Sequence, residues 1–557
     1  VQKVITADEM REIDRLTTAK YATPSLLLME AAANAAARSI AEHFGESLTG
    51  KSVRVFCGRG NNGGDGAALA RALWLMGAHL DVIIVGRIED AAGDARVNFE
   101  ILRQLASYEA GSKTRPSPLS ILECVDIASW EKAAARRGTY DIRVDALFGT
   151  GLSRPLEGIA LHIAEHLALL SDARDRSGSS LPLIVSLDIP SGLNADSAQL
   201  IGATVRADLT VTFTAPKPAN VLPPASDFNG RLVVADIGSP PSLLEAAGSK
   251  LFVIDREDAR AWLVKTRYTP NSFKNTHGHA LVIAGARGYS GAATLTASAA
   301  MRAGAGLVTI ATPASLQSTI AATVIPEVMT APLAETDRGA VSDEAIGSVV
   351  RLMEKASVVA MGPGLTSDDE RTRRFVRDVV EKRRTPVVID ADGLNALSPW
   401  PAELRGSTVL PLILTPHPGE MLRLMGETEK QSLADRVAAA RDFAVAHSVI
   451  LVLKGARTLI AAPDGRVFIN PTGNAGLGTA GAGDTLTGII TSFITQAYAT
   501  LKRDADALEA TIAAVYVGGL AGDFAANERG MRNMIASDIR EYLGTAIRDL
   551  DPQGERP

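Results

Sequence analysis

Cysteine is almost missing: Cys57 and Cys124 are the only two in 557 residues. That scarcity excludes a disulfide framework and offers no zinc-ligand spacing, so a reducing, cytoplasmic setting is expected. Long apolar runs are missing as well. No stretch approaches the roughly 18 continuous apolar residues that cross a bilayer, and the opening Val1-Gln2-Lys3-Val4-Ile5-Thr6 lacks a basic region followed by an apolar one. A soluble chain without a membrane partner is expected. There is no Lys/Arg block, and the formal net charge is -6, which argues against nucleic acid as a partner. Any anionic ligand must be held locally, by loop amides and a few basic side chains. What is present is an ordinary globular composition, with 46% hydrophobic residues, 22% charged and 49 glycines, so low-complexity disorder is not expected. The length exceeds one core and predicts two large α/β domains acting on small molecules, with a homo-oligomer as the expected assembly.

Short β-rich runs ending in Gly, Asp or Pro alternate with Ala/Leu-rich helical stretches, the pattern of a mostly parallel sheet covered by helices. The predicted strands are 53–57, 80–85, 142–147, 183–188, 209–213 and 232–236, then 280–284, 307–311, 358–361, 386–389, 412–415 and 449–453. Thr6 and Glu9 form a capping-box pair that opens a helix, and a second apolar helix runs from about Ser25 to His43. A Pro/Gly/Ser-rich connector follows Asp236, which places the domains at 1–245 and 246–557. The Ser/Pro/charge-rich stretches 111–120 and 171–182 read as surface loops.

Two glycine-acid loops carry chemistry. Gly478-Thr479-Ala480-Gly481-Ala482-Gly483-Asp484 precedes an amphipathic helix, so bare amides and a helix N-terminus can surround a phosphate while Asp484 takes a proton from an attacking hydroxyl. The bland alternative is a flexible turn. The second loop, Gly58-Arg59-Gly60-Asn61-Asn62-Gly63-Gly64-Asp65-Gly66, contains G-x-G-x-x-G between a strand and a helix, which raises a dinucleotide-binding dehydrogenase. Against it, the next strand ends in Val85-Gly86-Arg87 rather than in an acid. Asp145 and Asp188 end two further strands of this half. Asn62, Asp145 and Ser191 are oxygen-bearing residues on loops expected to meet at the sheet edge, a donor set for a hard cation, and Asp188 is left as an acid/base; each Asp alone could equally be a loop cap.

With Val144-Asp145-Ala146-Leu147-Phe148-Gly149-Thr150-Gly151 and Leu187-Asp188-Ile189-Pro190-Ser191-Gly192, the Gly58 loop closely resembles the NAD(P)H-hydrate epimerase family, the YjeF N-terminal domains. The resemblance implies a Rossmann-like fold that interconverts the two epimers of hydrated NAD(P)H. It implies nucleotide contacts from Asn61, Asn62, Gly63, Gly64 and Asp65 and from Gly149, Thr150, Gly151, Leu152, Ser153, Arg154 and Pro155. It further implies potassium held by Asn62, Asp145 and Ser191, with Asp188 as the catalytic carboxylate on the substrate side.

In the second half, Met361-Gly362-Pro363-Gly364, Asp390-Ala391-Asp392-Gly393-Leu394-Asn395, Thr415-Pro416-His417-Pro418-Gly419-Glu420 and Lys454-Gly455-Ala456-Arg457-Thr458 all begin at strand ends. Together with Asp484 they are similar to the ribokinase-like superfamily, and within it to the ADP-dependent NAD(P)H-hydrate dehydratases. That resemblance implies Asp484 as catalytic base and phosphoryl contacts from the amides of residues 480–483. It implies adenine-nucleotide contacts from Lys454, Gly455, Ala456, Arg457, Thr458 and Gly483, and hydrate contacts from Ala292, Gly364, His417 and Asp484. Mg2+ is implied on the ADP phosphates, with Glu420 organising nearby. The competing expectations are a vitamin-precursor kinase fused to a nucleotide-binding domain, and a non-catalytic first half.

Overall fold

The computed structural model describes residues 1–110, 119–136, 138–177 and 182–553. The chain divides into two compact units, Lys3–Ser249 and Lys250–Pro557 with Val1–Gln2.

The first unit is built on seven strands, β1 (Ser52–Cys57), β2 (His79–Val85), β3 (Leu119–Cys124), β4 (Ile142–Ala146), β5 (Leu183–Leu187), β6 (Leu209–Phe213) and β7 (Arg231–Ala235). They lie in the order β3-β2-β1-β4-β5-β6-β7, every neighbouring pair parallel. Strands β4 and β5 are buried at every residue, as a sheet covered on both faces requires. The order reverses between β1 and β4, and in open α/β sheets a ligand crevice forms outside the carboxyl ends at such a point. Three helices frame that end: α1 (Ala7–Tyr21), α2 (Ser25–His43) and α3 (Asn61–Leu75). The Thr6/Glu9 capping box opens α1, Glu9 N donating to Thr6 Oγ1 at 3.2 Å and Thr6 N to Glu9 Oε2 at 2.8 Å.

The second unit contains β8 (Leu251–Val253), β9 (His279–Ile283), β10 (Leu307–Pro313), β11 (Met329–Leu333), β12 (Val358–Met361), β13 (Val387–Ile389), β14 (Leu412–Leu414), β15 (Ile450–Leu453), β16 (Leu459–Ala461) and β17 (Val467–Ile469). Their order is β8-β17-β16-β15-β14-β13-β12-β9-β10-β11, parallel from β15 to β11, with β16 antiparallel to both neighbours. Helices α5 (Ser290–Arg302) and α7 (Ala482–Thr500) pack backbone to backbone; α4 (Gly158–Ser177) belongs to the first unit and α6 (Pro418–Met425) to the second. A Cβ on Gly488 would stand 2.1 Å from Thr296 O, so only glycine permits this approach. Trp262 stacks on Phe493 of α7 at 4.1 Å between ring centroids. Helix α8 (Ala507–Arg529) has the length and apolarity of a membrane span, yet 67% of its apolar window is packed inside this unit, which makes it a core helix.

Every strand expected from the sequence is present, with ends moved by at most two residues. Six strands were not expected, one of them the three-residue strand Gln2–Val4. β3 is an edge strand with half-exposed residues, and β8, β11, β16 and β17 are three or five residues long, too short for periodicity to register. Of the two expected surface loops, Leu119 and Ser120 begin β3 and residues 171–177 complete α4; residues 111–118 and 178–181 lie outside the described residues.

Candidate active sites

A cavity of about 600 Å³ opens at the β1/β4 reversal of the first unit, walled by the loops that follow β1, β4 and β5 and by α1. Asp188 follows β5 with φ of +62°, a left-handed backbone that turns the chain sharply at the strand end. Lys217 Nζ donates to Asp188 Oδ1 at 2.6 Å, and the Thr212 hydroxyl reaches the same oxygen at 3.0 Å. The lysine is fully buried and also donates to Thr212 Oγ1 and Phe213 O, so its ammonium is locked to this one carboxylate. Oδ2 faces Gly149, where a Cβ would stand 2.9 Å away.

Beside it, Asp145 is buried and accepts from Ser191 Oγ at 2.6 Å, Ser191 N at 2.8 Å and Ser186 Oγ at 2.9 Å. Burial raises its pKa in spite of these bonds. Ser191 Oγ in turn accepts from Phe148 N at 3.0 Å, which ties the post-β4 loop to the post-β5 loop. Asn62 adjoins the post-β4 loop at Gly149. It is buried, both its amide atoms lack a hydrogen-bond partner among the described residues, and the Cβ position of Gly149 lies 3.4 Å from its Oδ1. Asn61, Asn62, Asp65, Gly149, Thr150 and Gly151 line the cavity. Gly63 and Gly64 do not: their Cβ atoms would stand 1.8 Å from Gly58 O and 2.7 Å from Ala95 Cα, so they let α3 seat against its neighbours. Leu152, Ser153, Arg154 and Pro155 continue away from the cavity wall, Leu152 into the core.

In the second unit, Gly481 caps α7 with φ of +84° and Asp484 lies in the helix's first turn. Lys454 Nζ, at the end of β15, donates to Asp390 Oδ1 at 2.7 Å, while Thr487 Oγ1 donates to Asp390 Oδ2 at 2.7 Å. A Cβ on Gly483 would lie 3.3 Å from that ammonium, so the lysine is aimed at the α7 N-terminus. Burial lifts the pKa of Asp484 to about 6; Asp390 and Asp392 push it up and Lys454 pulls it down.

His417 caps α6: its Nδ1 accepts from Gly419 N at 3.0 Å and Glu420 N at 3.3 Å, and its backbone N–H donates to Glu420 Oε2 at 2.8 Å. Glu420, buried with its pKa raised by that burial, stands 3.9 Å from Lys454 Nζ. The structure therefore joins His417, Glu420, Lys454, Asp390 and the Asp484 turn. Gly364 and Ala292 form a separate wall, where a Cβ on Gly364 would stand 3.1 Å from that of Ala292 and 2.9 Å from that of the exposed Tyr289. The turn from Gly455 to Thr458 is fastened by Arg436, whose Nη1 donates to Ala456 O at 3.0 Å.

A family model described as YjeF-related protein N-terminus matches residues 25–219, and one described as NAD(P)H-hydrate dehydratase matches residues 280–544. The bifunctional NAD(P)H-hydrate repair enzyme Nnr of Moorella thermoacetica is 39% identical over 552 residues, covering 99% of this chain and 98% of that protein. The chain belongs to the bifunctional NAD(P)H-hydrate repair enzyme family. The Thermofilum pendens member is 37% identical over 98% of this chain and 97% of its own length. A crystal structure of an ADP/ATP-dependent NAD(P)H-hydrate dehydratase from Bacillus subtilis, co-crystallized with ATP/Mg2+, is 30% identical, covers 54% of this chain and 99% of that one, and gives a TM-score of 0.46.

The family's two halves coincide with a Rossmann-like first unit and a ribokinase-like second unit. Sequence reasoning missed Lys217, Asp14 and Arg436. Lys217 stands between Pro216 and Pro218 with no motif around it, and Asp14 lies on a helix whose sequence shows only its cap. Asp390 was noticed as part of a strand-end motif, but its bond to Lys454 spans 64 residues and carries no local signal.

Proposed function

We propose that the first unit interconverts the R and S hydrates of NADH and NADPH, and that the second dehydrates the S hydrate at the expense of ADP, releasing AMP and phosphate. The observation that carries this reading is the Asp484 turn. A half-buried carboxylate stands among the amides at the N-terminus of α7, with the Lys454 ammonium directed at Gly483. Hydroxide leaves poorly because water has a pKa of about 15.7, whereas phosphate leaves with a pKa of about 6, so phosphorylating the hydrate hydroxyl relieves up to roughly 13 kcal/mol of leaving-group difficulty. Asp484 takes the hydroxyl proton as oxygen attacks the terminal phosphorus. The amides of residues 480–483 receive the phosphoryl oxygens, and Lys454 balances their charge. Loss of phosphate from the ring, driven by the ring-nitrogen lone pair, followed by loss of a proton from the adjacent ring carbon to solvent, then restores the dihydronicotinamide. Ala292, Gly364 and His417 are assigned to the hydrate, and Gly455, Ala456, Arg457 and Thr458 to the adenine nucleotide.

Among the described residues no three acid, His or Cys side chains are placed to hold a metal. A Mg2+ ion would thus ride on the ADP phosphates, drawn by the surplus of Asp390, Asp392 and Asp484 over Lys454, and would neutralise phosphate charge. In the first unit, the buried Asn62 amide and the Asp145–Ser191 pair both adjoin the Phe148–Gly149 loop and suit a monovalent cation such as K+, which would offset the Asp145 charge and hold the loops together. Asp188 is assigned the proton transfers at the hydrated carbon.

Incubating the whole chain with hydrated NADH and ADP, ATP or neither, and following absorbance at 340 nm, tests the reading. Recovery requires the nucleotide and yields inorganic phosphate. A stable phosphoester accumulating in its place would support the vitamin-kinase alternative and overturn this one.

A further inference from the structure

We propose that Asp14, on α1, is a second acid–base residue of the first unit's cavity, sharing with Asp188 the proton transfers at the hydrated carbon. The inference rests on the epimerase reading of that cavity. Asp14 lines the same cavity as Asp188, Asp65 and Lys217. Its Oδ1 is buried and has no hydrogen-bond partner among the described residues, an expensive state for a carboxyl that no structural role redeems. Asp188 by contrast is fastened on one oxygen by Lys217 and Thr212. One carboxyl is paired with an ammonium, and the other lines the cavity without such a partner.

The charged groups facing Asp14 act consistently with that division. Burial lifts its pKa to about 6, Asp188 pushes it up and Lys217 pulls it down. Asp65, from α3, is raised well above the usual carboxylate range by burial and by Asp188 and Asp14. Arg11 of the same helix also lines the cavity. Near neutrality Asp14 can therefore exchange a proton at little cost.

Hydration of an enamine places the hydroxyl on the carbon next to nitrogen, so that carbon can epimerise by losing and regaining water. Asp14 gives its proton to the hydroxyl; the C–O bond breaks as the ring-nitrogen lone pair forms a C=N bond, and water departs. A water molecule adds to the other face, the C=N pair returns to nitrogen, and the proton released passes to the Asp188 carboxylate. The reverse epimerisation exchanges the two roles, and solvent equilibrates the proton between turnovers. No redox partner is needed.

The test is epimer exchange by chromatography of the separated hydrates, in the intact chain and in Asp14→Asn and Asp14→Glu, with hydrate binding measured by calorimetry. Wild-type exchange in 18O-labelled water should introduce one label per inversion. Asp14→Asn should lower kcat by 10²-fold or more, leave hydrate affinity within about threefold, and flatten the limb of the pH profile near 6; Asp14→Glu should restore part of the rate. Wild-type rate in a folded Asp14→Asn protein, or inversion without label, overturns the proposal while the epimerase reading stands. A wild-type chain that leaves both hydrates unchanged overturns that reading and this proposal with it. Loss of affinity equal to the loss of rate assigns Asp14 to binding and also overturns it.

Discussion

Lys454 and Asp390 lie 2.7 Å apart, Nζ to Oδ1, across two neighbouring loops of the second unit, with the Asp484 turn directly beside them. The pair fixes one positive charge at the N-terminus of α7, where the helix amides already favour an anion. It also sets the proton affinity of Asp484, since Lys454 is the group that lowers its pKa.

Replacing Lys454 by Met should therefore act twice. The phosphoryl group loses a counter-charge, and Asp484 titrates above its present value of about 6. Because the base works only when deprotonated, the acid limb of dehydration should move to higher pH, and the deficit should be larger at pH 6 than at pH 8. A variant whose loss is equal at both values would show that Lys454 does not tune Asp484.

Asp484→Asn should still fold and bind ADP but lose at least about 10²-fold in dehydration, the lower end of a general base's contribution. Epimerisation should stay within about twofold of wild type. Near-normal recovery of absorbance at 340 nm would defeat the second-site mechanism, and loss of both activities would defeat the assignment of one site to each unit.

Exchange of K+ for a bulky cation such as tetramethylammonium should slow epimer exchange and lower the melting temperature of the first unit, leaving dehydration of purified S hydrate unaffected. Asp145→Asn should make the first unit indifferent to K+. Persistent K+ dependence in both Asp145→Asn and Asn62→Ala would place the cation elsewhere.

Gly488→Ala tests packing alone. Its new methyl would meet Thr296 O at 2.1 Å, and backbone cannot swing aside as a flexible side chain can. Overpacking of this kind costs about 1–3 kcal/mol, readable as a shift of the urea midpoint; an unchanged midpoint would mean that α5 and α7 part without strain.

The parallel core was legible because its buried strands are β-rich runs, continuous and apolar in Val358–Met361 and interleaved with the β-branched threonines Thr210 and Thr212 in Leu209–Phe213, and both appear with the ends expected. Short antiparallel and edge strands such as Leu459–Ala461 were not, since three residues carry no period. The sites show the same division. Glycine-acid loops announce Asp484 and Asp188 because both chain geometry and chemistry are local there. Lys217, Asp14 and Asp390 acquire their roles from neighbours distant in sequence: Asp188 for the first two, Lys454 for the third. His417 needed the structure for another reason. Its sequence suggested either a ligand contact or a structural residue, and its Nδ1 is engaged in capping α6.

The left-handed backbone at Asp188 has a consequence for how this chain can change. A non-glycine residue held there costs roughly 1–2 kcal/mol, and the buried ion pair with Lys217 adds little net stability, since hydrophobic replacement of such pairs is often neutral or favourable by about 1–4 kcal/mol. Folding alone thus gives no reason to keep either residue. A library selected only for heat resistance should drift toward Asp188→Gly together with Lys217→Met, yielding first units that melt later than wild type and no longer exchange the hydrates. Such survivors would separate what heredity retains for chemistry from what it retains for shape.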